Sequence, residues 1–274
     1  MRITVWGSRG SIASAGPETV RYGGNTACVS VESDDAICLL DGGSGLRRAG
    51  IAFDGDPRPI HVLLTHLHMD HIQGLGFFRP LSEAGRPIHI WGPPSTTQDL
   101  RTRLTRYLSP PLFPVRIRDF AARVELHDAP LEPWAFDGFE IRAASVIHPG
   151  PTLGYRLSRA GRSVTYLSDH EPALGGPIER PEWTSGHDLA AGADVLIHDG
   201  QYTTDEYRER VGWGHSSIEQ AATFADLAGA DRLVLFHHEP DHADDTVDQL
   251  LEEARSLRRR GTADAASEGL TIEL

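Results

Sequence analysis

Three histidines and an aspartate fall within six positions of the stretch LLTHLHMDH, residues 63–71. Neutral imidazole and carboxylate are donors that suit zinc, with manganese and iron as alternatives. His66, His68, Asp70 and His71 are therefore candidate ligands placed directly behind an apolar run. More candidates stand where other apolar, strand-like runs stop: His148 after ASVI, Asp169 after TYLS and His237 after LVLF, just as His66 follows VLLT. Strand ends along one sheet edge converge in space, and ligand sites form at such edges. One histidine at such a point is more often structural. Seven candidates in this pattern are enough for two metal ions sharing one carboxylate. In the tandem pair His237–His238, His237 bears the same relation to its strand as His66 does, which favours it over His238 as ligand.

These residues need a scaffold, and the chain supplies one in 274 residues, 39% of them hydrophobic. Strands are expected near 2–6, 27–32 and 36–40. LLDGGSGLRRAG reads as a strand, a tight glycine turn and a short helix. IHVLLTH reads as a buried strand running into the histidines. A helix is expected from Asp70 to Phe78, before Pro80, and the proline-rich residues 93–133 read as a surface excursion around a helical TTQDLRTRLTRYL. FEIRAASVIH, LGYRLS, SVTYLSD, ADVLIHD and DRLVLFHH are five further strand candidates. SSIEQAATFADLAG reads as a helix with Ser216 as N-cap, Glu219 completing a capping box and Gly229 as stop. A last helix, DDTVDQLLEEARSLRRRG, precedes a terminal strand LTIEL. No repeat or linker divides the chain, so residues 1–274 are read as one domain. Its two strand-rich halves predict two packed sheets with helices outside.

Composition narrows the setting. Cys28 and Cys38 are the only cysteines, too few for a disulfide scaffold, and a reducing cytoplasm is expected. No run approaches the roughly 20 apolar residues of a membrane span, and MRITVWGSRG reads as a strand and turn rather than a signal peptide. The formal net charge of −13 repels polyanions, so long nucleic acid is not expected as a partner. The basic stretches RTRLTRYL and RSLRRR read as solvated helix faces.

THLHMDH matches the pattern H-x-H-x-D-H, and the later His, Asp and His come in the matching order. In this the chain resembles the metallo-β-lactamase fold superfamily over nearly its whole length, from GSRGS to FHHEPDH. The resemblance implies an α/β fold, a four-layer αβ/βα sandwich. It implies that His66, His68 and His148 hold one metal, that Asp70, His71 and His237 hold the other, and that Asp169 bridges them. Zinc is the first expectation for both ions. An aspartate stands at the bridging position, where many β-lactamases place cysteine, which argues against antibiotic hydrolysis. His68 stands where the di-iron flavoprotein branch places glutamate, which argues against redox chemistry.

Within the superfamily the chain is similar to the ribonuclease Z-like phosphodiesterases, which include cyclic-nucleotide and phosphoribosyl cyclic phosphodiesterases. ADVLIHDG and GHSSIEQAA carry this likeness. It implies that His215 is a general acid and that Asp199, a position often occupied by glutamate in the family, orients it. Asp70 joins these two as a catalytic candidate. Asp41, in LLDGGSG, resembles an aspartate that buttresses a ligand histidine. Ser8, Arg9, Asn25 and His238 are candidate substrate contacts, with His170 a weaker one; His61, His89, His127, His187 and His242 read as structural or exposed.

The expected activity is hydrolysis of a small or cyclic-nucleotide-type phosphodiester. Water activated between the ions would attack phosphorus, and His215 would protonate the leaving alkoxide. Two alternatives stay open: a thioester or lactone hydrolase on the same scaffold, needing no proton donor, and a non-catalytic nucleotide-binding sensor. Ribonuclease Z itself is disfavoured by the charge and by the lack of a long Gly/Pro-rich arm. A homodimer is left open.

Overall fold

The computed structural model describes residues 1–274. In chain order the first half supplies β1 (Arg2–Gly7), β2 (Cys28–Glu32), β3 (Ile37–Leu40), β4 (Ile60–Leu63), β5 (Pro87–Gly92) and β6 (Arg123–Asp128). The second half supplies β7 (Trp134–Phe136), β8 (Phe139–Ser145), β9 (Leu153–Arg159), β10 (Arg162–Leu167), β11 (Val195–Asp199), β12 (Arg232–Phe236), β13 (Thr262–Ala265) and β14 (Thr271–Glu273). They form two seven-stranded sheets, in the orders β14-β1-β2-β3-β4-β5-β6 and β13-β12-β11-β10-β9-β8-β7. Each sheet is antiparallel over four strands and parallel over the rest.

The sequence accounts for this division. ICLL in β3 and VLIHD in β11 are buried at every position, as suits strands covered on both faces. Strand β8 instead alternates, with Phe139, Ile141 and Ala143 buried and Glu140 and Arg142 exposed. The two sheets face each other through Val5, Val29, Leu40 and Leu63 on one side and Phe139, Tyr155, Ile197 and Phe236 on the other. Each such large side chain, fully buried, contributes about 1.5–3 kcal/mol. Helix α1 (Leu46–Ala52) covers the outer face of the first sheet; α4 (His187–Ala190) and α5 (Thr204–Glu209) precede and follow β11 in the chain, and α6 (Ile218–Ala228) and α7 (Asp244–Leu257) cover the outer face of the second. The result is the expected four-layer αβ/βα sandwich.

Several local expectations are corrected. The helix expected over 70–78 is only α2 (Met69–Ile72), followed by two 3-10 turns. Gly74 packs against the Gly43 carbonyl so closely that a Cβ would lie 2.0 Å from it, and its amide donates to the Gly42 carbonyl instead of continuing the α2 ladder. The surface helix around 96–108 shrinks to α3 (Leu100–Leu104), capped by Asp99, and β6 occupies the end of the supposed excursion. The capping box of α6 is Ser217–Gln220, one residue later than Ser216–Glu219. Ser216 is used elsewhere: its amide donates to Asp199 and its hydroxyl to the His170 carbonyl. Strands β5, β7 and β13 were not anticipated, being short or only half apolar. Cys28 and Cys38 are buried and unpaired, and no helix is long and apolar enough to cross a membrane.

Candidate metal centre

The cluster assembles where the central strands of both sheets stop. The turn after β4 carries His66 and His68, and α2 carries Asp70 and His71. His148 lies just past β8, Asp169 just past β10, Asp199 at the last position of β11, and His237 directly after β12. His237 takes a left-handed backbone, φ 59°, unusual for a non-glycine residue. Its imidazole fits because residue 10 is glycine: a Cβ there would lie 2.4 Å from His237 Nδ1.

The side chains gather into two groups. The donors of His66, His68 and His148 lie within 4.8 Å of one another, as do those of Asp70, His71, Asp169 and His237. Asp169 stands between the groups. Its carboxylate is 3.1 Å from His71 Nε2, 3.3 Å from His237 Nε2, and 3.8 Å from both His66 Nε2 and His148 Nε2.

The far nitrogen of most of these rings is already engaged. His71 Nδ1 donates to Asp41 at 2.8 Å, His237 Nδ1 to the Gln201 amide oxygen at 2.9 Å, and His148 Nδ1 to the Gly214 carbonyl at 2.9 Å. Thr65 Oγ1 donates to Asp41 and lies 3.0 Å from His66 Nδ1, whose proton it can accept. Such partners fix the tautomer and turn the Nε2 lone pair inward. Inside the cluster, His66 Nε2, His71 Nε2 and Asp169 Oδ1 are buried without a hydrogen-bond partner. Each orphan costs about 1–3 kcal/mol in a dry interior. A divalent cation among them would remove that penalty, so the donor set fits divalent metal ions.

The charges agree. Burial would raise the carboxyls of Asp70 and Asp169, but the neighbouring His71 and His237 outweigh it and hold both well below the usual range. Burial would lower His237, yet Asp169 and Asp70 push it up to about 9. His66 is kept neutral chiefly by burial.

Beside the cluster, His215 Nδ1 donates to Asp199 Oδ2 at 2.7 Å. Asp199 is held in turn by the amides of Gln201 and Ser216, at 3.1 and 3.0 Å. The His215 ring stacks on His237 at 4.9 Å and meets His148 edge-on at 5.0 Å. Its donor atom lies within 4.8 Å of those of His148 and Asp169.

Sequence reasoning missed Gln201, Thr65 and Glu171. Gln201 comes two residues after the strand-ending Asp199, a signal that was readable. Glu171 gave none: it is fully buried, and its carboxylate accepts from the amides of Gly212 and Gly214 and from the Tyr207 hydroxyl, which pins the loop leading to His215. Asp41 is buried at φ 61° and accepts from the Thr65 amide and hydroxyl, His71 and the Tyr166 hydroxyl.

The candidate substrate contacts fare differently. Arg9 is fully buried, and its guanidinium donates to the carbonyls of Gly23, Glu239 and His242, so it cannot reach a ligand. Ser8 is likewise buried and donates to the Tyr22 carbonyl. Asn25 is tied to Glu268 and Ser44. His238 is buried against the Ala266 carbonyl, and His170 pairs with His198 beneath Phe224.

Two facing sheets with an inward-pointing His/Asp cluster at their rim define the class, a metal-dependent hydrolase of the αβ/βα sandwich type. A family model described as "Beta-lactamase superfamily domain" matches residues 39–238, and the chain belongs to that family as a ribonuclease Z-like member of the metallo-β-lactamase fold. A ribonuclease Z of Myxococcus xanthus is 29% identical, over 91% of this chain and 92% of its own. The fold is shared with human tRNase Z, short form, at TM-score 0.68 and 23% identity, covering 100% of this chain and 99% of the other. A diphosphatase of the PhnP family superposes at TM-score 0.70 with 22% identity, covering 100% and 97%.

These relatives overturn one expectation. Long nucleic acid was set aside on the net charge of −13, and ribonuclease Z with it, yet the full-length relatives are named for RNA and tRNA. Net charge sums the whole surface, whereas polyanion binding depends on local patches and on the site itself.

Proposed function

We propose that the protein hydrolyses phosphodiester bonds, acting on a small or cyclic-nucleotide-type ester, with zinc as the metal and manganese or iron as alternatives. The observation that carries this is the His215–Asp199 pair, 2.7 Å apart, beside but outside the two ligand groups. His66, His68 and His148 would hold one ion, Asp70, His71 and His237 the other, and Asp169 both. Six nitrogen or carboxylate donors around a shared carboxylate suit zinc better than magnesium, which demands mostly oxygen. Two bound divalent ions supply acidified water and neutralise charge on the phosphate oxygens.

The chain's own residues do the rest. Asp199 accepts a hydrogen bond from His215 Nδ1–H and keeps that proton on the ring, which leaves Nε2 as the nitrogen that gives a proton to the departing alkoxide. Gln201 and Asp41 keep their histidines in the ligand tautomer. Glu171 holds the loop that sets the height of His215. A thioester needs none of this apparatus, because a thiolate leaves unprotonated. The site draws on both sheets, so residues 1–274 act as one catalytic domain, and the two free buried thiols suit a reducing cytoplasm.

An RNA phosphodiester is the second reading, favoured by the ribonuclease Z relatives. The test is a panel on the zinc-loaded protein: bis(p-nitrophenyl) phosphate, 2′,3′-cyclic nucleotides, a structured RNA, a thioester and a lactone. Turnover of the phosphodiesters is expected. Turnover confined to the thioester or lactone would overturn the proposal, and turnover confined to the RNA would replace the small ester by the second reading.

A further inference from the structure

A second group of donors, sharing no residue with the cluster above, gathers on the inner face of the first sheet near its β6 edge. His89 on β5 and Glu125 and His127 on β6 alternate with their neighbours, and the register His89↔Glu125 and Trp91↔His127 puts all three on one face. His89 Nδ1 stands 3.1 Å from His127 Nε2 and 3.5 Å from Glu125 Oε2. In a tetrahedral zinc site with bonds of about 2.0–2.1 Å, adjacent donors lie about 3.3 Å apart. Two of the three edges therefore match those of a coordination tetrahedron, and all three donors lie within 4.8 Å of one another.

The rings are also held in place. Trp91 stacks on His127 at 4.2 Å, and His61 stacks on His89 at 4.8 Å. His61 is itself fixed by Asp137 at 2.9 Å and by the Phe136 ring at 3.7 Å. Aromatic packing thus meets in advance much of the entropy cost of ordering the ligands. The site is open to solvent, with the His89 side chain 22% and that of Glu125 42% exposed. Burial lowers His127 from its ordinary value, which favours the neutral ring a metal needs.

We propose that His89, Glu125 and His127 bind one divalent transition-metal cation of the zinc class, apart from the hydrolytic centre. Two imidazoles and one carboxylate are a donor set for such ions, and water completes the coordination. The cation ties the edge strand β6 to β5, so it stabilises the sheet without taking part in the reaction.

The test is calorimetric titration of the full chain, stripped by a chelator, with Zn²⁺ alone. His127→Gln changes a residue near the sheet edge, and His89→Ala/His127→Ala removes both nitrogens. Each should bind one equivalent less than the natural chain while its zinc-loaded phosphodiesterase rate stays within about twofold. Asp169→Ala, which disrupts the hydrolytic cluster, should keep one equivalent, and adding His127→Gln should remove it. Should His127→Gln bind the same number of equivalents as the natural chain with the same affinity, or Asp169→Ala keep none, the proposal is overturned and His89–His127 is only a hydrogen bond.

Discussion

His237 and His238 are chain neighbours in opposite surroundings. The first faces Asp70 and Asp169 with Gln201 behind it; the second gives its Nε2 to the Ala266 carbonyl. His237→Ala should therefore lower metal content and activity together. His238→Ala should keep the metal and lose about 1–3 kcal/mol of stability, the cost of an orphaned buried carbonyl. Elemental analysis and thermal melts of the two variants check this, and the reverse pattern would move the ligand by one residue. Asp169→Ala should lose both ions of the hydrolytic cluster at once, because its carboxylate faces both groups. The gathering of these side chains was legible because His66, His148, Asp169 and His237 each follow an apolar run, and the end of such a run is a place in space as well as in sequence. Arg9 was misread for the opposite reason. An arginine in a glycine-rich turn looks exposed, and only the tertiary fold reveals the carbonyls that surround it.

Elements position these residues through buried polar anchors. Glu171 is one such anchor: its carboxylate takes the amides of Gly212 and Gly214 and the Tyr207 hydroxyl. Glutamine offers one acceptor oxygen in place of two, so Glu171→Gln leaves a buried donor unpaired, again about 1–3 kcal/mol. The loop loosens, kcat should fall, and both hydrolytic ions should remain; an unchanged kcat would show that the loop needs no such anchor. The strands that alternate or run fully apolar were readable from periodicity. The stop of α2 after Ile72 was not, because the bond from the Gly74 amide to the Gly42 carbonyl is a tertiary contact with no local signature. The capping box of α6 slipped by one residue for a similar reason. Two serines compete for the N-cap position, and the fold commits Ser216 to Asp199 and His170.

At the scale of the molecule, the two sheets bring titratable groups into a dry interior, and this makes stability depend on pH. Burial keeps His198 neutral down to about 4 and His238 down to about 3. In the unfolded chain both protonate near the ordinary value of about 6.5, so the unfolded state binds more protons below that pH. Their stabilisation is full above about 6.5 and is lost as pH falls through 4 and 3. In the metal-free chain His237, raised to about 9, adds no slope there. Melting temperature should thus fall steadily from pH 6.5 to 4, and a flat profile across that window would contradict the burial of these rings. The central claim, that His215 protonates a leaving alkoxide, has a more direct test in the leaving-group dependence of His215→Ala. The variant should keep its fold and its hydrolytic ions, since His215 lies outside both ligand groups. On a 2′,3′-cyclic nucleotide its rate should fall by about 10²–10⁴, the usual size of a general-acid effect. On bis(p-nitrophenyl) phosphate, whose leaving group departs with little help, the loss should be much smaller, and Asp199→Asn should repeat the pattern more weakly. An equal loss on both substrates, or none on either, would contradict the account.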